Sequence, residues 1–253
     1  SDSVNETITT QCIVNVSHVD IPVELTMPQG GDSLNQSCQT PDHSSAQSVS
    51  NSLVSNDCKL YTSSLKGKLH KHKGISTIHI NARSLFPKLD EITWLVQQCD
   101  IDILCVSETW FNENIPDIDV TINGYQLIRK DRIGKSGGGV AIYIKDTITF
   151  RHRPDILTDQ NLEMIWVEIP TKGHTPNLLI CCCYRPSDSS VVYFESILDT
   201  VDKALSENKH LVFLGDMNYN YVYDEKLYKN PIFKMELLFC LKQLIQRVYK
   251  GSS

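Results

Sequence analysis

The sequence predicts an α/β layered domain, and three observations predict it. Seven short apolar runs have strand character, three amphipathic segments have helical spacing, and the two kinds are interspersed along the chain. ISTIHI, starting at Ile75, alternates as a strand does. Ser84 and Pro87 then open a helix that carries Leu89, Ile92, Leu95 and Val96 on one face. DIDILCV (100–106) is expected to be a buried strand and runs into SETW. YQLIRKD and GVAIYIKD flank the glycine-rich RIGKSGGG, a hairpin connection. Its GKS is not a phosphate-binding loop, because that pattern needs glycine at 129, where Arg129 stands, and a strand follows instead of a helix. MIWVEI (164–169) and NLLICCCY (177–184) are two further strands. Phe194, Ile197, Leu198, Val201 and Leu205 mark a second helix, and LVFLGDMN is the strand after it. Phe233, Leu237, Leu238, Leu241 and Leu244 mark a last helix.

The N-terminal quarter reads differently. Residues 1–65 contain no Phe or Trp and no Tyr before Tyr61, with one brief apolar patch around Ile13 to Leu25. So little apolar surface does not offset the entropy of ordering, and a disordered polar acidic tail is expected. KGKLHKHKG (66–74) is a basic linker, either solvated or able to touch phosphates or act as an import signal, and 75–253 is the folded domain. The tail holds seven acidic residues and one basic residue, which accounts for the whole net charge of −6. The rest of the chain is therefore neutral, and total charge does not exclude a nucleic-acid partner.

Nine cysteines include three in a row, Cys181, Cys182 and Cys183. Neighbours on a strand face opposite ways, so these three form neither a disulfide framework nor a shared metal site. Reduced buried thiols are expected, and with them a nuclear or cytoplasmic location. The sequons at Asn5, Asn15 and Asn35 are read as coincidences of a Ser- and Thr-rich tail. No apolar run approaches the ~20 residues of a membrane helix, so no membrane partner is expected. The first residue is Ser1, not Met, and no hydrophobic signal segment follows it, which suggests a processed or incompletely represented N-terminus.

Four strands end in polar residues: Asn81 in HINARS, Glu108 in SETW, Tyr184 in CCCYRP, and Asp216 with Asn218 in GDMN. Singly, each has an ordinary reading as a turn cap, a helix-start acid, a half-buried aromatic or a strand-to-turn exit. Together they are the set that a divalent-metal phosphodiesterase needs. Carboxylates hold a hard cation, another carboxylate activates water, amides orient it, and a phenol donates to charge developing on phosphorus. Arg185 is either a phosphate contact or a structural arginine. Glu163, at the start of its strand, receives no role. His79 lies on the same strand face as Asn81 and is read as a packed core histidine.

The order N-x-R-S, S-E-T-W, GGGVAIY, Y-R-P and G-D-x-N resembles the endonuclease/exonuclease/phosphatase superfamily, and more narrowly the endonuclease domain of a non-LTR (LINE-type) retrotransposon, over about residues 75–248. The resemblance implies a DNase I-like layered α/β sandwich with mixed sheets. It implies Mg²⁺ or Mn²⁺ as cofactor, with Glu108 the principal ligand and Asn81 and Asp216 beside it. It further implies that Tyr184 stabilises the pentavalent phosphate, while Asp216 and Asn218 position and deprotonate the water. The implied activity is nicking of DNA to prime reverse transcription. Two elements of such domains, an I-D-H-I-type strand and a terminal S-D-H, do not occur here, nor does a reverse transcriptase domain. The resemblance thus implies a domain incomplete at its C-terminal end, with a catalytically inactive relic or interaction module as the alternative.

Overall fold

The computed structural model describes residues 15–19 and 74–218. Among the described residues, nine strands form two mixed sheets. The first has the order β1 (Asn15–Val19), β2 (Ile75–Asn81), β3 (Ile103–Ser107), β5 (Val140–Lys145), β4 (Tyr125–Lys130). The second runs β6 (Arg151–His152), β7 (Glu163–Ile169), β8 (Leu178–Tyr184), β9 (His210–Asp216). Helix α1 (Leu89–Cys99) covers the first sheet and α2 (Val191–Leu205) the second. The expected α/β sandwich with mixed sheets is what forms.

Strand parity sorts the core into three layers. Ile78, Ile80, Leu104, Val106, Ala141 and Tyr143 pack with Ile92, Leu95 and Val96 of α1. Ile103, Cys105, Ile142 and Ile144 face Ile165, Val167, Ile180, Cys182 and Leu214 between the sheets. Met164, Trp166, Leu179, Cys181 and Cys183 pack against Phe194, Ile197 and Val201 of α2. The three consecutive cysteines therefore divide between two layers, as alternation requires. All three are free and buried, and burial pushes the thiols of Cys181 and Cys183 well up, so they behave as small hydrophobes.

Local signals explain the helices. Pro87 sits in a short 3₁₀ turn, Phe86–Lys88, that leads into α1, and Asp90 and Glu91 occupy the first turn of α1, where the dipole favours acid. Ser190 caps α2, accepting from the Tyr193 N–H at 3.2 Å.

The structure departs from expectation in three places, one of them the two-residue strand β6, which no apolar run announced. Asp100 is left-handed (φ 54°) and terminates α1, so the strand read from residue 100 begins only at Ile103. The region read as a structureless tail also supplies β1, which pairs antiparallel with β2 from Asn15↔His79 to Val19↔Ile75. Polar composition hid it. A strand gains its hydrogen bonds from a partner about sixty residues away, and no local pattern reports that. The last predicted helix, Phe233 to Leu244, and the linker before Gly74 lie outside the described residues.

Candidate active site

The polar strand ends meet at one edge of the layer between the sheets. Asn81 shares its strand face with Thr77 and His79, opposite to Ile78 and Ile80, which point to α1. Tyr184 and Leu214 belong to the inter-sheet cluster, and Asp216, two residues on from Leu214, has the same parity. Cross-strand register then places Glu163 opposite Tyr184 and Tyr184 opposite Asp216 in one row. An apolar layer that runs out into a row of polar residues is how this fold presents a site.

Glu108 follows β3 in a left-handed conformation (φ 53°), and Trp110 (56°), Asn218 (49°), Arg83 (41°) and Ser84 (75°) share that region. Backbone of this kind costs about 1–3 kcal/mol per residue when the side chain is ill-suited to it, and it concentrates at functional sites. The two other non-glycine cases, Asp100 and Asn208, follow the C-termini of helices, where left-handed residues are ordinary.

The Asn81 carboxamide joins the two acids. Its Nδ2 donates to Glu108 Oε1 at 2.8 Å and to Asp216 Oδ2 at 2.7 Å, while its Oδ1 accepts from the Arg83 N–H at 3.2 Å. The Trp110 indole N–H reaches Glu108 Oε2 at 3.3 Å. Asp216 is fixed from behind as well, because Asn218 N–H donates to its Oδ1 at 2.9 Å. The backbone after Asp216 turns back on the carboxylate, and that turn aims it. Asn218 Nδ2 itself donates to the Arg185 carbonyl at 2.7 Å. Burial pushes the Tyr184 phenol up to about 12, with the Glu108 carboxylate adding to the rise and Asn218 and Arg132 opposing it. At neutral pH it is a hydrogen-bond donor.

Asn81, Glu108, Asp216 and Tyr184 are therefore brought together, and Asn218 acts on Asp216 through the backbone. Arg185 is buried, with its two Nη atoms donating to the Met217 and Ser189 carbonyls at 3.3 Å each, which favours the structural reading. His79 is fully buried with Nε2 3.1 Å from Ser107 Oγ, a core histidine as expected. Sequence reasoning did not find Trp110, Arg132 or a role for Glu163. Glu163 Oε1 accepts from Arg132 Nε at 2.8 Å and its Oε2 from the Gly139 N–H at 2.5 Å. Strand 163–169 is buried on both faces, so an acid on one of them gave no periodic signal.

Among the described residues no group of three His, Cys, Asp or Glu side chains gathers as a metal cage. Glu108 and Asp216 offer carboxylate oxygens on either side of the Asn81 Nδ2, while the Asn81 Oδ1 is taken by the Arg83 N–H. Such oxygens suit a hard cation which completes its shell with water and phosphate oxygens, and they are poor for zinc. The positive end of the Asn81 amide already lies between the two acids, the electrostatic position a cation favours.

No curated protein matches the chain in sequence. Solved structures similar to it include the endonuclease domain of TRAS1, a telomere-specific non-LTR retrotransposon. That match has 14% identity and a TM-score of 0.49 over 68% of this chain and 74% of that one. The catalytic domain of Xenopus laevis APE2 matches at 15% identity and 0.48, over 64% and 67%. An AP endonuclease from Archaeoglobus fulgidus matches at 19% and 0.40, over 64% and 69%. Residues 78–248, from within β2 to beyond β9 and so across every residue of the site, match the Endonuclease/Exonuclease/phosphatase family, and the chain belongs to that family of metal-dependent nucleases and phosphatases.

Proposed function

We propose that this chain is a divalent-metal-dependent phosphodiesterase of the retrotransposon-endonuclease type, which nicks DNA to prime target-site reverse transcription. The observation that carries the reading is the Asn81 carboxamide held between Glu108 and Asp216, with the Tyr184 phenol beside Glu108. The wording of the strand-end motifs, N-A-R-S, S-E-T-W, Y-R-P and G-D-M-N, favours the retrotransposon branch and hence DNA as partner. Buried reduced thiols favour a nuclear or cytoplasmic setting.

In this reading Glu108, Asn81 and Asp216 hold Mg²⁺ or Mn²⁺, which when bound neutralises charge on the phosphate. Asp216 takes the proton from the attacking water. Asn218 keeps the carboxylate aimed through its N–H. The Tyr184 O–H donates to the oxygen on which negative charge grows, and its raised pKa keeps that proton in place at neutral pH.

Supercoiled-plasmid nicking tests the proposal. The parent chain should nick in Mg²⁺ and stop with chelator, and Asp216→Ala should be slower by a factor of roughly 10²–10⁴. Absence of metal-dependent nicking by the parent would favour the inactive module. The metal assignment has its own measurement. Calorimetric titration of Glu108→Ala should show much weaker Mn²⁺ binding than the parent, and equal binding would remove Glu108 from the ligand set.

A further inference from the structure

The β4–β5 connection carries a cation that none of the strand-end motifs includes. Arg132 lies with its guanidinium carbon 5.5 Å from the centroid of the Tyr184 ring. Glu163 holds it there, accepting from Nε at 2.8 Å, with Nη2 2.7 Å from the same oxygen. Glu163 is in turn fixed from two sides. Its other oxygen takes the Gly139 N–H, and its own N–H donates to the Tyr193 hydroxyl at 2.9 Å. The backbone beside Arg132 is shaped to admit it, since a Cβ on Gly138 would stand 2.3 Å from the guanidinium carbon. Gly138 and Gly139 carbonyls also accept from the N–H groups of Trp110 and Thr109, at 2.9 and 3.3 Å, so the hairpin is tied to the Glu108 loop.

A purely structural ion pair would use the guanidinium fully, and this one does not. Nε and Nη2 face Glu163, 2.8 and 2.7 Å from one oxygen, so the edge of the guanidinium turned toward the Tyr184 phenol is what remains to address a ligand. A guanidinium has five N–H groups in a rigid fork that matches the oxygens of a phosphate. The site also needs such a charge. Glu108 and Asp216 both repel an incoming phosphate, and the neighbouring Arg185 directs its Nη atoms to the Met217 and Ser189 carbonyls.

We propose that Arg132 binds the non-bridging oxygens of the phosphate group on which this site acts, and that Glu163 is its positioning residue. The proposal rests on the reading of Glu108, Asp216 and Tyr184 as a phosphate-handling site, and it goes beyond the motif residues. Arg132 approaches from the hairpin side, over the Tyr184 ring, so that phenol and guanidinium address one phosphate together.

Calorimetric titration of inorganic phosphate into the full chain in Mg²⁺ buffer tests this without nucleic acid. The parent should bind, and Arg132→Gln should bind about tenfold or more weakly, as expected for loss of a charge-assisted hydrogen bond. Arg132→Lys, which keeps the charge and loses the fork, should recover only part of the affinity. Glu163→Gln, which keeps an acceptor for Gly139, should weaken phosphate binding when it is compared with the parent at a temperature where both are fully folded. No phosphate binding by the parent, or equal affinity in parent and Arg132→Gln, overturns the proposal. So does a fall in melting temperature alone, with phosphate affinity unchanged. Failure of plasmid nicking with the phosphate contrast intact would count against the DNA reading while leaving Arg132 in its role.

Discussion

Gly215→Ala is expected to destabilise the domain by about 3 kcal/mol or more and to disable the site beside it. An added Cβ would stand 2.0 Å from the Cys183 carbonyl oxygen, 2.8 Å from its carbon and 3.0 Å from its nitrogen. All three are backbone atoms of β8 at the position paired with Gly215, so no side chain can swing aside. Overpacking against movable side chains typically costs about 1–3 kcal/mol, and an immovable ladder places this change at or above that range. The melting temperature should fall by roughly 6–12 °C, taking about 2–4 °C per kcal/mol for a domain of this size. Because Asp216 is the next residue, Mn²⁺ binding should weaken in the same variant. Gly124→Ala is the control, since nothing lies within 4 Å of its added Cβ and only the positive φ of 84° resists it. Equal losses in the two variants would contradict the account. The glycine of GDMN is thus a packing requirement that brings a strand close enough to present its acid.

Arg153→Met should cost about 3–5 kcal/mol, the range for breaking a buried ion pair from one side. Arg153 is buried and donates to Asp155, Glu168 and Glu207, and Lys209 bridges Glu168 and Glu207 at 2.7 and 2.6 Å. The cluster sits at the end of the second sheet away from the site, joining the segment after β6, strand β7, the exit of α2 and the entry to β9. Loss of Arg153 leaves Lys209 as the one cation between Glu168 and Glu207 and loosens the start of the strand that delivers Asp216.

The same cluster predicts a pH dependence. Burial alone would raise the Glu168 carboxyl, but hydrogen bonds from Asn177, Lys209 and Arg153 more than reverse this and bring it from 4.5 to about 2. A carboxyl depressed by folding stabilises the native state above its unfolded value of 4.5, and that contribution is lost as pH falls toward about 2. The amount is about 3 kcal/mol. Urea unfolding of parent and Glu168→Gln from pH 7 to pH 2 should therefore show the parent losing more stability across that window. Parallel curves for the two proteins would rule the linkage out.

The site was legible in sequence because its residues are few, polar and attached to apolar strands. Asn81, Glu108, Tyr184, Asp216 and Asn218 each interrupt a run that otherwise reads as buried, and their motif order resembles one superfamily. Arg132 and Glu163 gave no such signal. Arg132 is one of several basic residues in a polar hairpin, and Glu163 opens a strand whose neighbours Met164 and Ile165 are both apolar, so neither face was marked as special. Trp110 was visible only as a letter of SETW, and its indole contact with Glu108 depends on a left-handed backbone at both residues.

By itself the sequence determined where seven of the nine strands and both helices of the described residues lie, which strand ends are polar, and that the consecutive cysteines divide between opposite faces. Those are local properties, set by alternation, capping and turn residues within a few positions. Tertiary structure alone decided that β1 adds to the first sheet, and that Glu163, Tyr184 and Asp216 fall into one cross-strand row. It alone also decided that one amide of Asn81 spans two acids from different sheets, 135 residues separating it from Asp216 in the chain. Register between strands and the facing of two sheets are set by which apolar faces bury each other, and that choice is made between distant segments, where no local pattern in the chain records it.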